Sequence, residues 1–202
     1  MLATRSKQHN AWAAFNGGAG IGTLGGLIGL GGAEFRLPLL IGLFGFGALE
    51  AVILNKALSL VVVATALPFR AAVVPFSMLF EHGNVIATFL SGSVAGAWCG
   101  AGWATHMRSQ VLYKVIAVLL VCIAGVLLLG HGSHAHQLLL SGWALTCTGV
   151  VAGVIIGVVA SLLGVAGGEL LIPTIVLLFG ADLKLAGSLS LAVSLPTMVA
   201  GQ

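Results

Sequence analysis

Apolar residues fill this chain in long blocks, broken by short glycine-rich or polar segments, and that alternation predicts a string of helices. A first helix is expected over Ala11–Leu30, followed by a glycine break and a short apolar stretch from Pro38 to Phe46. A longer helix spans about Ala51 to Phe80, with Pro68 and Pro75 placed to kink it. Glu81-His-Gly-Asn84 reads as a turn. Asn84–His106 and Gln110–Gly130 are two further spans, separated by Arg108 and Lys114. His131-Gly-Ser-His-Ala-His136 is too polar for anything but a loop. The pattern then restarts with a helix from about Gln137 to Leu163, a second glycine break, a short stretch from Pro173 to Phe179 and a last segment from Leu183 onward.

The restart is a repeat at the level of residues. Gly29-Leu-Gly-Gly-Ala-Glu-Phe-Arg-Leu-Pro38 returns 135 positions later as Gly164-Val-Ala-Gly-Gly-Glu-Leu-Leu-Ile-Pro173. Without a gap, Gly29, Gly32, Glu34 and Pro38 fall on Gly164, Gly167, Glu169 and Pro173. Gly18 and Gly22 fall on Gly153 and Gly157, while Ala57, Ser59 and Leu60 fall on Ala192, Ser194 and Leu195. The chain is thus organised as a polar N-terminal tail (1–16), a first membrane repeat (17–130), a His-rich loop (131–136) and a second membrane repeat (137–202). By the same offset Gln202 aligns with Leu67, in the middle of a membrane segment. The second repeat is therefore expected to be incomplete, lacking about three helices.

Loop charge orients these segments. Cationic loops favour the cytoplasm, which places the basic tail (Arg5, Lys7) and the Arg108/Lys114 loop on the same, inner side. Four elements separate them, an even number, and the placement survives if the first two form a re-entrant pair. One more crossing puts the His-rich loop outside. The second repeat then starts from the opposite face, an inverted repeat.

Composition agrees with a bilayer as solvent. Only 6% of residues are charged and 59% are apolar, where a soluble domain carries about 25% charged. The apolar blocks are long enough to cross a hydrocarbon core, which takes about 20 helical residues. The expected fold is an all-α polytopic membrane protein, an inverted-repeat helix bundle with broken or re-entrant helices at the two Gly-rich motifs and a truncated second repeat. A net charge of +3 is too small to imply nucleic acid. Cys99, Cys122 and Cys147 are isolated within apolar segments and are expected to act as small core residues. Gly18/Gly22/Gly26, Gly92/Gly96/Gly100 and Gly149/Gly153/Gly157 recur every four residues, the spacing that lets helix backbones approach closely.

Chemistry concentrates at the duplicated motif. A carboxylate at membrane depth costs about 2.5–3.5 kcal/mol on insertion scales, so Glu34 and Glu169 each need a partner or a role. Two roles are open. They cap their short helices by accepting from free N–H groups, or they take up a proton beside an anion held at the broken helices. The break itself is carried by Gly31, Gly32 and Pro38 in the first copy, and by Gly167, Gly168 and Pro173 in the second. Arg36 has no basic counterpart, since Leu171 stands at the matching place. It is free to pair with Glu34, contact an anion or snorkel to an interface. Asn55, Lys56 and Ser59 form a polar set in an apolar helix, and Ser188, Ser190 and Ser194 answer them in the second copy. Such hydroxyls and amides suit a weakly held oxyanion, or simple interhelical hydrogen bonding. No cofactor and no metal site is expected. The three loop histidines lack carboxylate company, His82 and His106 lie at opposite ends of one span, and no Walker-type phosphate loop or nucleophile–base pair stands out.

Paired Gly-rich, proline-closed motifs, each opening a half, resemble the TauE/SafE family of sulfite and organosulfonate exporters. The Ala57–Ser59 run and the Glu81–Val85 turn before a Gly-rich span are similar to that family too. The two copies depart from each other at one glycine each, Gly31-Gly32-Ala33 against Ala166-Gly167-Gly168, and alanine is small enough to keep the close approach. The resemblance covers about Gly17 onward. It implies a multi-pass carrier of the bacterial inner membrane, with two halves around a central path; loop charge makes its N-terminus cytoplasmic. The partners it implies are the lipid bilayer and a small anionic, sulfur-containing substrate, with homo-oligomerisation left open. The rival reading is a non-transporting membrane subunit or truncated remnant that only packs against a partner.

Overall fold

The structure, a computed structural model, describes residues 11–28, 32–71, 82–130 and 142–201. Among them are eight α-helices and no strand: α1 (Ala11–Ile28), α2 (Ala33–Gly42), α3 (Ala48–Ala71), α4 (Gly83–His106), α5 (Ser109–Gly130), α6 (Trp143–Leu163), α7 (Gly168–Phe179) and α8 (Leu183–Ala200). Gly29–Gly31 of the first break, the segment with Pro75 and Glu81, and the His131–His136 loop lie outside the described residues. The helix α1 starts at Ala11, so the last part of the 1–16 tail is already helical.

Two boundaries differ from expectation, for local reasons. The short helices start at Ala33 and Gly168, not at the prolines. Each follows a left-handed glycine, Gly32 at φ 73° and Gly167 at φ 73°, and the chain enters the helix at once. Pro38 and Pro173 therefore sit inside their helices, where the missing N–H deprives the carbonyls of Glu34 and Glu169 of an i+4 donor. The helix α3 starts at Ala48, ahead of Ala51, because the Glu50 carboxylate accepts from the Gly47 N–H (3.1 Å) and closes the first turn.

The repeat is written in the backbone as well. The starts of α2 and α7, and those of α3 and α8, are both 135 positions apart. The left-handed Gly45 (φ 69°) likewise answers Gly180 (φ 63°).

Packing centres on α4 against α6. The Gly92/Gly96/Gly100 ladder faces Gly149/Gly153/Gly157 so closely that no side chain fits between. A Cβ at Gly96 would run into the Val154 carbonyl, and one at Gly157 into the Ser93 carbonyl. The first ladder behaves otherwise. A Cβ on Gly18 or Gly22 would meet nothing within 4 Å, so the close packing expected there is not found among the described residues.

Two apolar clusters flank this contact. One gathers Leu37, Leu40, Val52, Leu112 and Leu163 from α2, α3, α5 and α6. The other gathers Phe89, Ile156, Ile175, Leu189 and Val193 from α4, α6, α7 and α8. Outside them, Trp12, Phe69, Trp98 and Trp143 are exposed, a surface that lipid rather than water can solvate. Among the described residues three helical segments, Ala48–Ala66, Gly83–His106 and Trp143–Leu163, are long and apolar enough to cross a membrane. Cys99, Cys122 and Cys147 are exposed rather than in the core. The physical reason is that a small apolar side chain gains little from the protein interior when the alternative is lipid.

Candidate functional site

The helix α3 carries one polar face inward, and that face holds the ends of helices from the second repeat. Asn55 is fully buried. Its amide Nδ2 donates to the Ala33 carbonyl at the start of α2 (3.0 Å) and to the Leu163 carbonyl at the end of α6 (3.1 Å). Ser59, one turn on, donates weakly to the Gly164 carbonyl (3.4 Å), and Lys56 Nζ donates to the Gly201 carbonyl at the end of α8. Three donors on one helix thus meet carbonyls at two helix C-termini, where the backbone lacks donors of its own and the helix dipole is negative.

The same face meets the first break. Arg36 Nη2 donates to Ser59 Oγ at 2.7 Å, while its Nε is buried without a partner. Glu34 and Glu169 occupy the same place, the second residue of their helices. The N-caps Gly32 and Gly167 offer no side-chain cap. Glu34 Oε1 and Glu169 Oε2 are buried and unpartnered. Glu169 is only 3% exposed, yet it feels the charges of both Glu34 and Arg36. Glu169 thus lies in the same neighbourhood as Glu34 and Arg36.

The second copy repeats the layout with one component changed. Ser190 lies beside Gly168, its Oγ 3.9 Å from where a Cβ would stand, as Asn55 lies beside Ala33. Ser190 turns its hydroxyl back onto the Gly187 carbonyl (2.9 Å), and Ser188 does the same to Lys184. Ser194 matches Ser59, but the place of Arg36 is taken by Leu171. Its hydroxyl, 1% exposed, has no partner.

Of the residues singled out from sequence, Glu34, Arg36, Asn55, Ser59 and Glu169 come together, with Lys56 alongside. Ser190 lies at the second break, Ser194 is buried without a partner, and Gly31 lies outside the described residues. Sequence reasoning did not find the backbone acceptors Leu163, Gly164 and Gly201, nor the buried Ser93–Thr197 hydroxyl pair that joins α4 to α8 at 2.7 Å. Carbonyls carry no residue signature, and lone hydroxyls in apolar helices are too common to single out. No group of three or more metal-ligating side chains occurs among the described residues.

The structure is thus a helical bundle with long apolar helices and two short ones, each entered from a left-handed glycine and carrying a carboxylate in its first turn. Comparison with protein families decides which such protein this is. The model of the sulfite exporter TauE/SafE family matches residues 2–127 and 81–202, which together cover nearly the whole chain. The chain belongs to the TauE/SafE family. It is a family of membrane transporters, not of enzymes, and the long apolar helices agree with that setting. Comparisons with curated proteins and with solved structures gave no match.

Proposed function

We propose that this TauE/SafE protein is a secondary carrier that exports a small sulfur oxyanion, sulfite or an organosulfonate, across the inner membrane. The observation that carries this reading is Arg36. Its guanidinium is anchored through Nη2 on Ser59, keeps a buried Nε donor free, and stands where the two helix breaks meet. An oxyanion accepts from such a fork. The free Ser194 hydroxyl offers a further donor from the second repeat. Glu34 and Glu169 organise the site and couple its occupancy to a proton. The basic tail and the Arg108/Lys114 loop set the N-terminus inside, and the two repeats then lie inverted about the site.

Efflux from cells expressing the protein tests this. Glu34→Gln and Glu169→Gln are each expected to abolish net sulfite or sulfonate efflux while leaving membrane insertion intact. Normal efflux by both variants removes the glutamates from the mechanism. A flat response to sulfite, sulfonates and thiosulfate in the unaltered protein rejects the substrate class. A second reading, a membrane subunit that packs against a partner, draws on α1, whose Gly18 and Gly22 meet no neighbour within 4 Å.

A further inference from the structure

We propose that Ser59 sets the anion specificity of the site through Arg36 alone, holding the guanidinium in place against the backbone of the second repeat without touching the anion itself. This rests on the carrier reading above and adds to it a positioning residue.

Among the described residues, hydroxyls mostly turn back onto their own helix. Thr65, Thr88, Thr148 and Ser188 each donate to a carbonyl four residues earlier. Ser59, which is buried, does not. Both of its bonds leave α3: Oγ accepts from Arg36 Nη2 at 2.7 Å and donates to the Gly164 carbonyl at 3.4 Å. The direction of this relay is fixed, because a guanidinium only donates and a carbonyl only accepts. The one proton of Ser59 therefore points at Gly164, and only lone pairs are turned to Arg36. An anion needs donors, and Ser59 has none left for it.

The acceptor end is held from several sides. Gly164 is the left-handed cap of α6 (φ 65°), and it lies so near α3 that a Cβ there would run into the Val52 carbonyl. Asn55 holds the neighbouring Leu163 carbonyl at 3.1 Å. Arg36, from the first repeat, is thus tied to fixed backbone of the second. The other copy shows the serine without its arginine. Ser194 matches Ser59, Leu171 matches Arg36, and the Ser194 hydroxyl is buried with no partner. The tie does not exhaust the guanidinium. Nη2 carries two N–H groups and Ser59 takes one, while the buried Nε–H has no partner. What the tie removes is motion. A free arginine must give up rotamer freedom when an anion binds, and a tethered one has given it up already. A planar fork held in one orientation suits an oxyanion, which meets it with two oxygens, whereas a spherical halide gains nothing from that orientation.

The test is exchange of radiolabelled for unlabelled ethanesulfonate by the full chain in proteoliposomes, which needs no choice of driving ion. Ser59→Ala should raise KM for ethanesulfonate about tenfold with kcat little changed. Inhibition of the same exchange by bromide should move by less than about twofold, since a sphere does not need the fork held. Ser59→Thr keeps the hydroxyl and should keep KM. Ser59→Val has the same shape without the hydroxyl and should behave as alanine. In an Arg36→Lys background, with no planar fork left to hold, Ser59→Ala should raise KM by less than about threefold more. The alanine variant and that background decide the matter if neither larger side chain is tolerated. An unchanged KM in Ser59→Ala, equal loss of bromide and ethanesulfonate affinity, or a further full tenfold rise in the Arg36→Lys background, the mark of direct anion contact, each overturns the proposal and leaves the carrier standing. Absence of exchange by the unaltered protein, for thiosulfate as for ethanesulfonate, sinks the carrier reading and this proposal with it.

Discussion

Asn55 ties the start of α2 to the end of α6, and removing its amide is the sharpest test of how the two repeats are held together. In Asn55→Ala two hydrogen bonds of 3.0 and 3.1 Å are lost from a fully buried position. The two acceptors do not suffer equally. The Ala33 carbonyl retains its helical partner from the next turn. The Leu163 carbonyl lies at the last residue of α6, where the chain turns left-handed at Gly164 (φ 65°), and depends more on Asn55. A hydrogen bond in a protein contributes a net 0.5–1.5 kcal/mol or so, and about 0.6 on average between membrane helices. The loss is therefore about 1–3 kcal/mol. At roughly 2–4 °C per kcal/mol for a chain of this size, the thermal midpoint in detergent should fall by about 2–12 °C. Asn55→Asp should be worse than alanine, since a carboxylate would face two carbonyls. Asn55→Ser, the residue that the second repeat carries at Ser190, should fall between alanine and asparagine because its hydroxyl reaches only one acceptor. Ser91→Ala is the control, an exposed hydroxyl bonded only to Thr88 in its own helix, and should stay within about 0.5 kcal/mol. Helical circular dichroism against temperature reads all four. If Asn55→Ala melts with the unaltered protein and Asn55→Asp is no worse, the bridge contributes nothing to stability.

Other substitutions probe the remaining contacts. Gly157→Val should prise α4 from α6 and sharply lower the yield of monodisperse protein, since its Cβ would meet the Ser93 backbone. Gly18→Val, with open space around it, should leave yield unchanged, and equal behaviour of the two would contradict the packing. Arg36→Lys can keep a contact to Ser59 but not a planar fork, so KM for the sulfonate should rise by about tenfold or more with kcat little altered. An unchanged KM would remove Arg36 from substrate contact. Ser194→Ala deletes a buried hydroxyl that has no partner, so stability should hold or rise by up to about 1 kcal/mol while transport falls. A clear drop in thermal midpoint would show that Ser194 is bonded after all.

Much of this fold was legible in one dimension because a bilayer imposes strong rules on sequence. Helix spans follow from the length of apolar blocks, and the 135-residue offset recurs in the helix starts Ala33/Gly168 and Ala48/Leu183. The glycine ladders of α4 and α6 were readable for a similar reason. Spacing by four defines a helix face, and only small residues allow the observed approach. The candidate site was legible as a set of residue types, since Glu34, Glu169, Arg36 and Asn55 are costly in lipid without a purpose.

Which of them meet was not legible. Periodicity assigns a residue to a face but does not say which helix covers it. Nothing in the order of residues couples Asn55 to Leu163, 108 positions away, or Arg36 to Ser59. The same limit explains the differences. Pro38 and Pro173 invited a boundary that the left-handed glycines set earlier, and the cysteines were placed inside although an apolar thiol is equally content against lipid. Backbone carbonyls at the ends of α6 and α8 became acceptors only when α3 came to lie across them. Hydrophobic pattern and glycine spacing settle which segments are helices and which faces pack, because those depend on solvent and steric size. The pairing of charges and hydrogen bonds depends on distance, and distance exists only after the helices have packed.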